Sequence, residues 1–282
     1  MERLLIINAD DFGLCESVNK GIIEAHTNGV LTSTTIMTNM PHAGQAVEMA
    51  KKIPSLGLGV HLNLTAGKPL CRDTTVKLIL DSQGYFALSP GKLALASLIN
   101  GKVRTAIETE LALQIQWLID IGIKPTHLDS HKHIHCFPSI FPIVCRLAKR
   151  FSVPAIRYAF EPKQVSRLPW PLTDRESRKR AAILRTISKI NGWQNSSFFK
   201  TDCLLGVNHV GKINTVFLRA VSLYNNNQIV EVMTHPGYTY DLDASKTRLV
   251  NQRKLELEAL CSEKTKQSFK EAGVKLINYG QL

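Results

Sequence analysis

Two aspartates stand side by side at Asp10 and Asp11, two residues past the apolar run Leu4 to Ile7. Adjacent carboxylates repel, so they settle together where a cation or a shared proton offsets the repulsion. The apolar run predicts a buried strand, which places the pair at a strand's carboxyl end. In sheets built from strand–helix units, chemistry sits at that end. Asp10 and Asp11 are therefore read as the floor of an active site.

Their partners are sought at other strand ends. His61 lies on a strand expected over Leu56 to Leu64. Asp129 ends a short strand from Thr126 and leads into Ser130-His131-Lys132-His133-Ile134-His135. His235 follows a strand over Ile229 to Thr234 and precedes Pro236-Gly237-Tyr238. Such a mixed nitrogen and oxygen set, with a position left for water, is what a catalytic divalent metal needs. Each residue also has a plain structural role to set against this. One aspartate could cap a helix, His61 could pack in the core, His127 could face the barrel wall, and His235 could serve a turn. Four such coincidences at strand ends weigh toward the metal site. Alternating His131, His133 and His135 share a face of an extended segment. They cannot all reach one ion unless the chain turns, so one ligand is expected, with His133 and the others in support. Asp129 is placed to orient an imidazole from behind.

The elements that must carry these tips alternate. Helices are expected over Ser17 to His26, His42 to Lys52, Arg104 to Ile121, Pro138 to Phe151, Glu176 to Asn191, Thr215 to Tyr224, and as one or two helices from Ser245 to Ala272. Further strands are expected at Leu31 to Thr38, Ala155 to Tyr158, Cys203 to Val207 and Val274 to Asn278. Thr65 to Gly91 reads as a long loop with a short hairpin. The alternation argues for α/β architecture with mostly parallel strands, and the unit count favours a closed or distorted β/α barrel over an open sheet. One domain over 1–282 is expected, with 161–227 as an insertion or variable subdomain.

Composition removes several classes. With 44% hydrophobic residues, the 282-residue chain can bury a sizeable core. No apolar stretch is long enough to span a bilayer, and the amino terminus turns polar too soon for a signal peptide. The six cysteines are scattered without a Cys-x-x-Cys pair, as reduced thiols of a cytoplasmic protein are. Net charge is +12. Its densest segment, Arg175 to Lys189, has helical apolar spacing and no nucleic-acid motif, so a solvated helix face is expected and no nucleic-acid partner. No glycine-rich phosphate loop follows any strand, which disfavours dinucleotides and nucleoside triphosphates.

The motifs together carry a resemblance. Asn8-Ala9-Asp10-Asp11-Phe12-Gly13, Thr32-Ser33-Thr34-Thr35, Gly59-Val60-His61-Leu62-Asn63-Leu64-Thr65, Lys124 through His131, and Thr234-His235-Pro236 resemble the YdjC-type carbohydrate deacetylases, which include chitooligosaccharide deacetylases. The resemblance implies a distorted β/α barrel of the glycoside hydrolase/deacetylase type. It implies Asp11, His61 and His131 as metal ligands, Asp10 as general base, and His235 where a general acid belongs. It also implies magnesium and an N-acetylated amino sugar or short oligosaccharide as substrate. Softness of the imidazole ligands points instead to zinc, manganese or cobalt. One departure is visible: the family commonly reads Asp-Ser-His-His-His, and Lys132 replaces the middle histidine here. Tyr238, Tyr158, Trp170 and Trp193 are candidates to stack on a sugar ring. Two other functions are kept open, a metal-dependent phosphoesterase on a similar barrel and a non-catalytic sugar-binding protein. A homodimer is the default assembly.

Overall fold

The computed structural model describes residues 3–163, 173–191, 198–199, 201–224, 229–244 and 247–282. Eight strands form one sheet: β1 (Arg3–Phe12), β2 (Ser33–Ile36), β3 (Gly57–Leu62), β4 (His127–Ser130), β5 (Ala155–Ile156), β6 (Cys203–Leu205), β7 (Ile229–Thr234) and β8 (Val274–Leu276). Every strand pairing is parallel. The order is β5-β4-β3-β2-β1-β7-β6, with β8 added beside the start of β1. The sheet curls into a partial barrel with its helices outside. Among the described residues, β5 and β6 share no ladder. What joins them there is a parallel bridge from Ala155 to Phe199, with Ile156 N bonding the Phe199 carbonyl and Phe199 N the Pro154 carbonyl, and a bond from Leu204 N to the Phe160 carbonyl.

Helices α1 (Glu16–Thr27), α2 (Ala43–Ala50), α3 (Pro90–Ile99), α4 (Gly101–Asp120), α5 (Phe141–Arg150), α6 (Arg175–Asn191), α7 (Thr215–Leu223), α8 (Asn251–Cys261) and α9 (Glu263–Glu271) connect the strands. The expected helix start at Ser245 lies outside the described residues. Strand alternation sorts β1 into two faces. Leu5, Ile7 and Ala9 join the large core under the helices. Ile6 turns inward to Ala155, Ile277 and Tyr279, and Asn8 and Asp10 follow on the same side. The interior is thus apolar at the amino end of the strands and polar at the carboxyl end. Gly59 is required by close approach: a Cβ there would fall 2.5 Å from the His127 ring.

The long loop holds a 3-10 turn at Thr74–Ile79 and, at the expected hairpin, one antiparallel bridge, Leu80 to Phe86. Two expectations need correction. Helix α3 went unread because its Leu95, Leu98 and Ile99 are exposed, which spoils the apolar stripe a helix reading depends on. Strand β1 runs past the aspartate pair to Phe12 rather than stopping before it. Among the described residues, no helix is long and apolar enough to cross a membrane.

Candidate functional site

The tip of β1 shows how two neighbouring carboxylates enter one site. Successive side chains of a regular strand point to opposite faces. Here the register against β2 shifts between Ala9 and Phe12, and Asp11 takes φ +70°. A left-handed residue other than glycine is uncommon, and such conformations gather at functional sites. It breaks the alternation and turns both acids inward.

The two acids meet different partners. Asp10 is gripped by the Arg157 fork, with Nη2 2.7 Å from Oδ1 and Nη1 2.8 Å from Oδ2. Asn8 Nδ2 adds a bond to Oδ1 at 3.0 Å. The fully buried Arg157 guanidinium also lies 2.7 Å from Asp129 Oδ2 and 2.8 Å from Glu231 Oε1. The Tyr279 hydroxyl donates to Glu231 at 2.5 Å. Burial alone would raise the Asp10 pKa, but the Arg157 charge and hydrogen bonds outweigh it and hold the carboxyl well below its usual range.

Asp11 belongs to a second group. Its Oδ2 accepts from Arg253 Nη2 at 2.6 Å. Its Oδ1 lies 3.2 Å from His131 Nδ1 and 3.5 Å from His61 Nε2. Burial opposes its charge, yet Arg253 and His131 keep it ionised well below the ordinary carboxylate pKa. His61 presents Nε2 to this group because its Nδ1 bonds Asp129 Oδ1 at 2.7 Å. The Thr35 hydroxyl supports the same carboxylate, 3.0 Å from Asp129 Oδ2. Burial works against a charged His61, but Asp129, Asp10 and Asp11 together raise its pKa to about 9. His131 is reached by a turn just after β4, in which Lys132 and His133 both take φ 54°. Its side chain is 24% exposed, against 2% for His61 and 4% for Asp11, so this group opens outward through His131.

Asp11, His61 and His131 each offer one atom, all within 4.8 Å of one another, and Asp10, His61 and Asp129 meet the same criterion. The chemistry of the first set fits a divalent ion that accepts nitrogen and oxygen donors. A carboxylate behind His61 fixes its ring, as it does for metal-ligating histidines generally. The second set is already filled, since Arg157 takes both Asp10 and Asp129.

His235 follows β7. Its backbone N–H donates to Glu256 Oε2 at 2.6 Å, and its ring Nδ1 is buried without a partner among the described residues. Burial pulls the imidazole pKa down to about 4, against the pull of Asp10 and Asp11.

The other residues named from sequence scatter. His127 is not at the Asp11 group: its ring stacks on Tyr279 at 3.7 Å and its Nδ1 is 2.9 Å from the Thr126 hydroxyl. His135 packs beneath, 2.5 Å from the Ser130 hydroxyl, and His133 stands edge-on to it at 6.2 Å. The Tyr238 hydroxyl bonds Glu24 of α1, and Tyr158 stacks on Phe160. Trp170 and Trp193 lie outside the described residues. Sequence reasoning missed Arg157, Glu231, Arg253, Glu256 and Thr35. For Glu231 a signal existed, a lone carboxylate inside the apolar strand Ile-Val-Glu-Val-Met, which demands a buried cation.

Comparisons with known proteins bear on this arrangement. The profile of a family described as "YdjC-like protein" matches residues 4–271. A carbohydrate deacetylase of Brevibacillus brevis is 36% identical over 278 residues, covering 99% of each chain. A chitooligosaccharide deacetylase of Salmonella schwarzengrund is 33% identical, covering 98% of this chain and 97% of its own. Among solved structures, a protein of Enterococcus faecalis provisionally named for cellobiose-phosphate cleavage superposes with a TM-score of 0.77 at 27% identity. It covers 100% of this chain and 99% of its own.

Proposed function

The chain belongs to the YdjC-like family, and on that premise we propose that it is a metal-dependent hydrolase removing N-acetyl groups from an amino sugar or short N-acetylglucosamine-type oligosaccharide. The observation that carries the reading is the convergence of Asp11, His61 and His131 beside an aspartate held ionised by Arg157. Curated relatives named as carbohydrate and chitooligosaccharide deacetylases support the bond cleaved. Asp11, His61 and His131 would hold the ion. A divalent cation held there supplies a water of lowered pKa and a Lewis acid for the amide carbonyl.

The chain's own groups do the rest. Asp10, its carboxylate aimed by the Arg157 fork, takes the proton of the attacking water. His235 delivers a proton to the leaving amine. Because burial holds His235 near 4, its ring enters the cycle neutral at pH 7 and must first collect that proton. We route to it the one taken up by Asp10. Asp129 keeps the His61 tautomer fixed throughout. The ion is magnesium by resemblance, while two imidazole ligands favour zinc, manganese or cobalt. We place the protein in the cytoplasm, with six free thiols, as one domain acting without nucleic acid.

The test is acetate release from a panel of N-acetylated sugars, paired with metal analysis of the purified protein. Asp11→Asn, His61→Gln and His131→Gln proteins that melt normally are expected to lose ion binding and at least about a hundredfold in turnover. Unchanged turnover in all three would end the reading. A second reading is favoured by the Enterococcus structure named for a phosphorylated disaccharide, namely phosphoester hydrolysis on the same barrel. Phosphate release without acetate would select it.

A further inference from the structure

The geometry points to Arg253 as a positioning residue for Asp11, and to one turn of α8 as the part that holds the tips of β1 and β7 together. Arg253 and Glu256 are three residues apart, so they share a helix face. Arg253 Nη2 holds Asp11 Oδ2 at 2.6 Å, and its Nε donates to the Leu249 carbonyl at 3.1 Å, which fixes the guanidinium plane. The Arg253 carbonyl accepts from Gly237 N at 3.2 Å. One turn on, Glu256 takes the His235 N–H at 2.6 Å and the Gly211 N–H at 3.1 Å. The loop after β7 is pressed between helices, since a Cβ on Gly21 of α1 would fall 2.5 Å from the Gly237 Cα.

The consequence falls on Asp11. With Oδ2 committed to Arg253, Oδ1 is the oxygen left to face His61 and His131. Arg253 thus makes Asp11 a single-oxygen ligand with a fixed direction. Lysine could match the charge but not the fork. Arg253 Nη1 is buried and has no partner among the described residues.

The experiment measures Mn2+ binding to the full-length protein by calorimetry, for wild type, Arg253→Met, Arg253→Lys and Arg253→Ala. Removing a group that orients a ligand typically weakens metal affinity about 10–100-fold. That loss is expected for Arg253→Met, with about tenfold for Arg253→Lys. Added guanidinium ion is expected to restore part of the affinity in Arg253→Ala, which a merely structural role would not predict. Acetate release should lose kcat while KM for the sugar stays within about threefold, since Arg253 acts through Asp11. Wild-type Mn2+ affinity in a folded Arg253→Met protein would overturn the inference, as would failure of guanidinium rescue. If Arg253→Met does not fold, unchanged affinity in Arg253→Lys overturns it equally. The inference rests on the proposed metal site, so a wild type that fails to bind Mn2+ overturns it, and on the deacetylase reading only for its kinetic readout. A wild type that binds Mn2+ but releases no acetate ends that reading, and the affinity comparison still decides the role of Arg253.

Discussion

Two clusters within the curl share His61, each gather three donor atoms within 4.8 Å of one another, and differ in whether a cation already joins their acids. In the inner one, Asp10, Asp129 and Glu231 surround Arg157. In the outer one, Asp11 faces His61 and His131, and one guanidinium nitrogen takes only one of its oxygens. Proximity of carboxylate and imidazole therefore does not define a metal centre. The difference is an Asp11 oxygen that no guanidinium takes, facing two imidazoles at a place that reaches solvent. On the proposed reading the inner cluster is the support that aims Asp10, and the outer cluster is the tool that would hold the ion.

The largest expected effect separates support from tool. Arg157→Met leaves three buried acids without their counter-charge, and breaking a buried pair costs about 3–5 kcal/mol. The melting temperature should fall by roughly 10 °C, read by thermal unfolding of the metal-free protein. A shift under about 2 °C would mean that the inner cluster is not a structural unit. Asp129→Asn comes next, because Asp129 touches both clusters, through His61 Nδ1 and Arg157 Nη1. Mn2+ affinity should fall about 10–100-fold along with a drop in melting temperature; stability loss with intact affinity would assign Asp129 to the support alone.

The smallest effect concerns pH. Burial raises the Glu256 pKa to about 7, from an ordinary value of 4.5. A folded-state pKa above the unfolded one means that this contribution is whole below about 4.5 and is lost as pH rises through about 7. The melting temperature of wild type relative to Glu256→Gln should therefore decline by a few degrees between pH 5 and pH 8. A flat difference would show that Glu256 is ionised throughout.

Most of the acids and imidazoles of both clusters were legible in the sequence, and the arginines that hold them were not. Asp10, Asp11, His61, Asp129, His131 and His235 each end or adjoin a recognisable strand, so local pattern placed them on one rim. Arg157 follows a strand of only two residues, and its partners Asp10 and Glu231 lie 147 and 74 positions away. Nothing local marks it. Arg253 sits in Asn-Gln-Arg-Lys-Leu-Glu, which reads as an ordinary solvated helix turn, and only packing against Gly237 reveals that it is buried. His127 sits deeper on β4, stacked on Tyr279, and periodicity gives the face of a residue but not its depth. The parallel sheet followed from alternation, and its curl from the number of strand–helix units and the family resemblance.

Arg157 also spans the sheet. It leaves β5 at one end of the strand order and reaches Glu231 on β7, next to the other end, and Asp10 on β1. One side chain therefore fastens strands that the ladder order keeps far apart, and the direction of the Asp10 carboxylate is tied to how those strands are spaced.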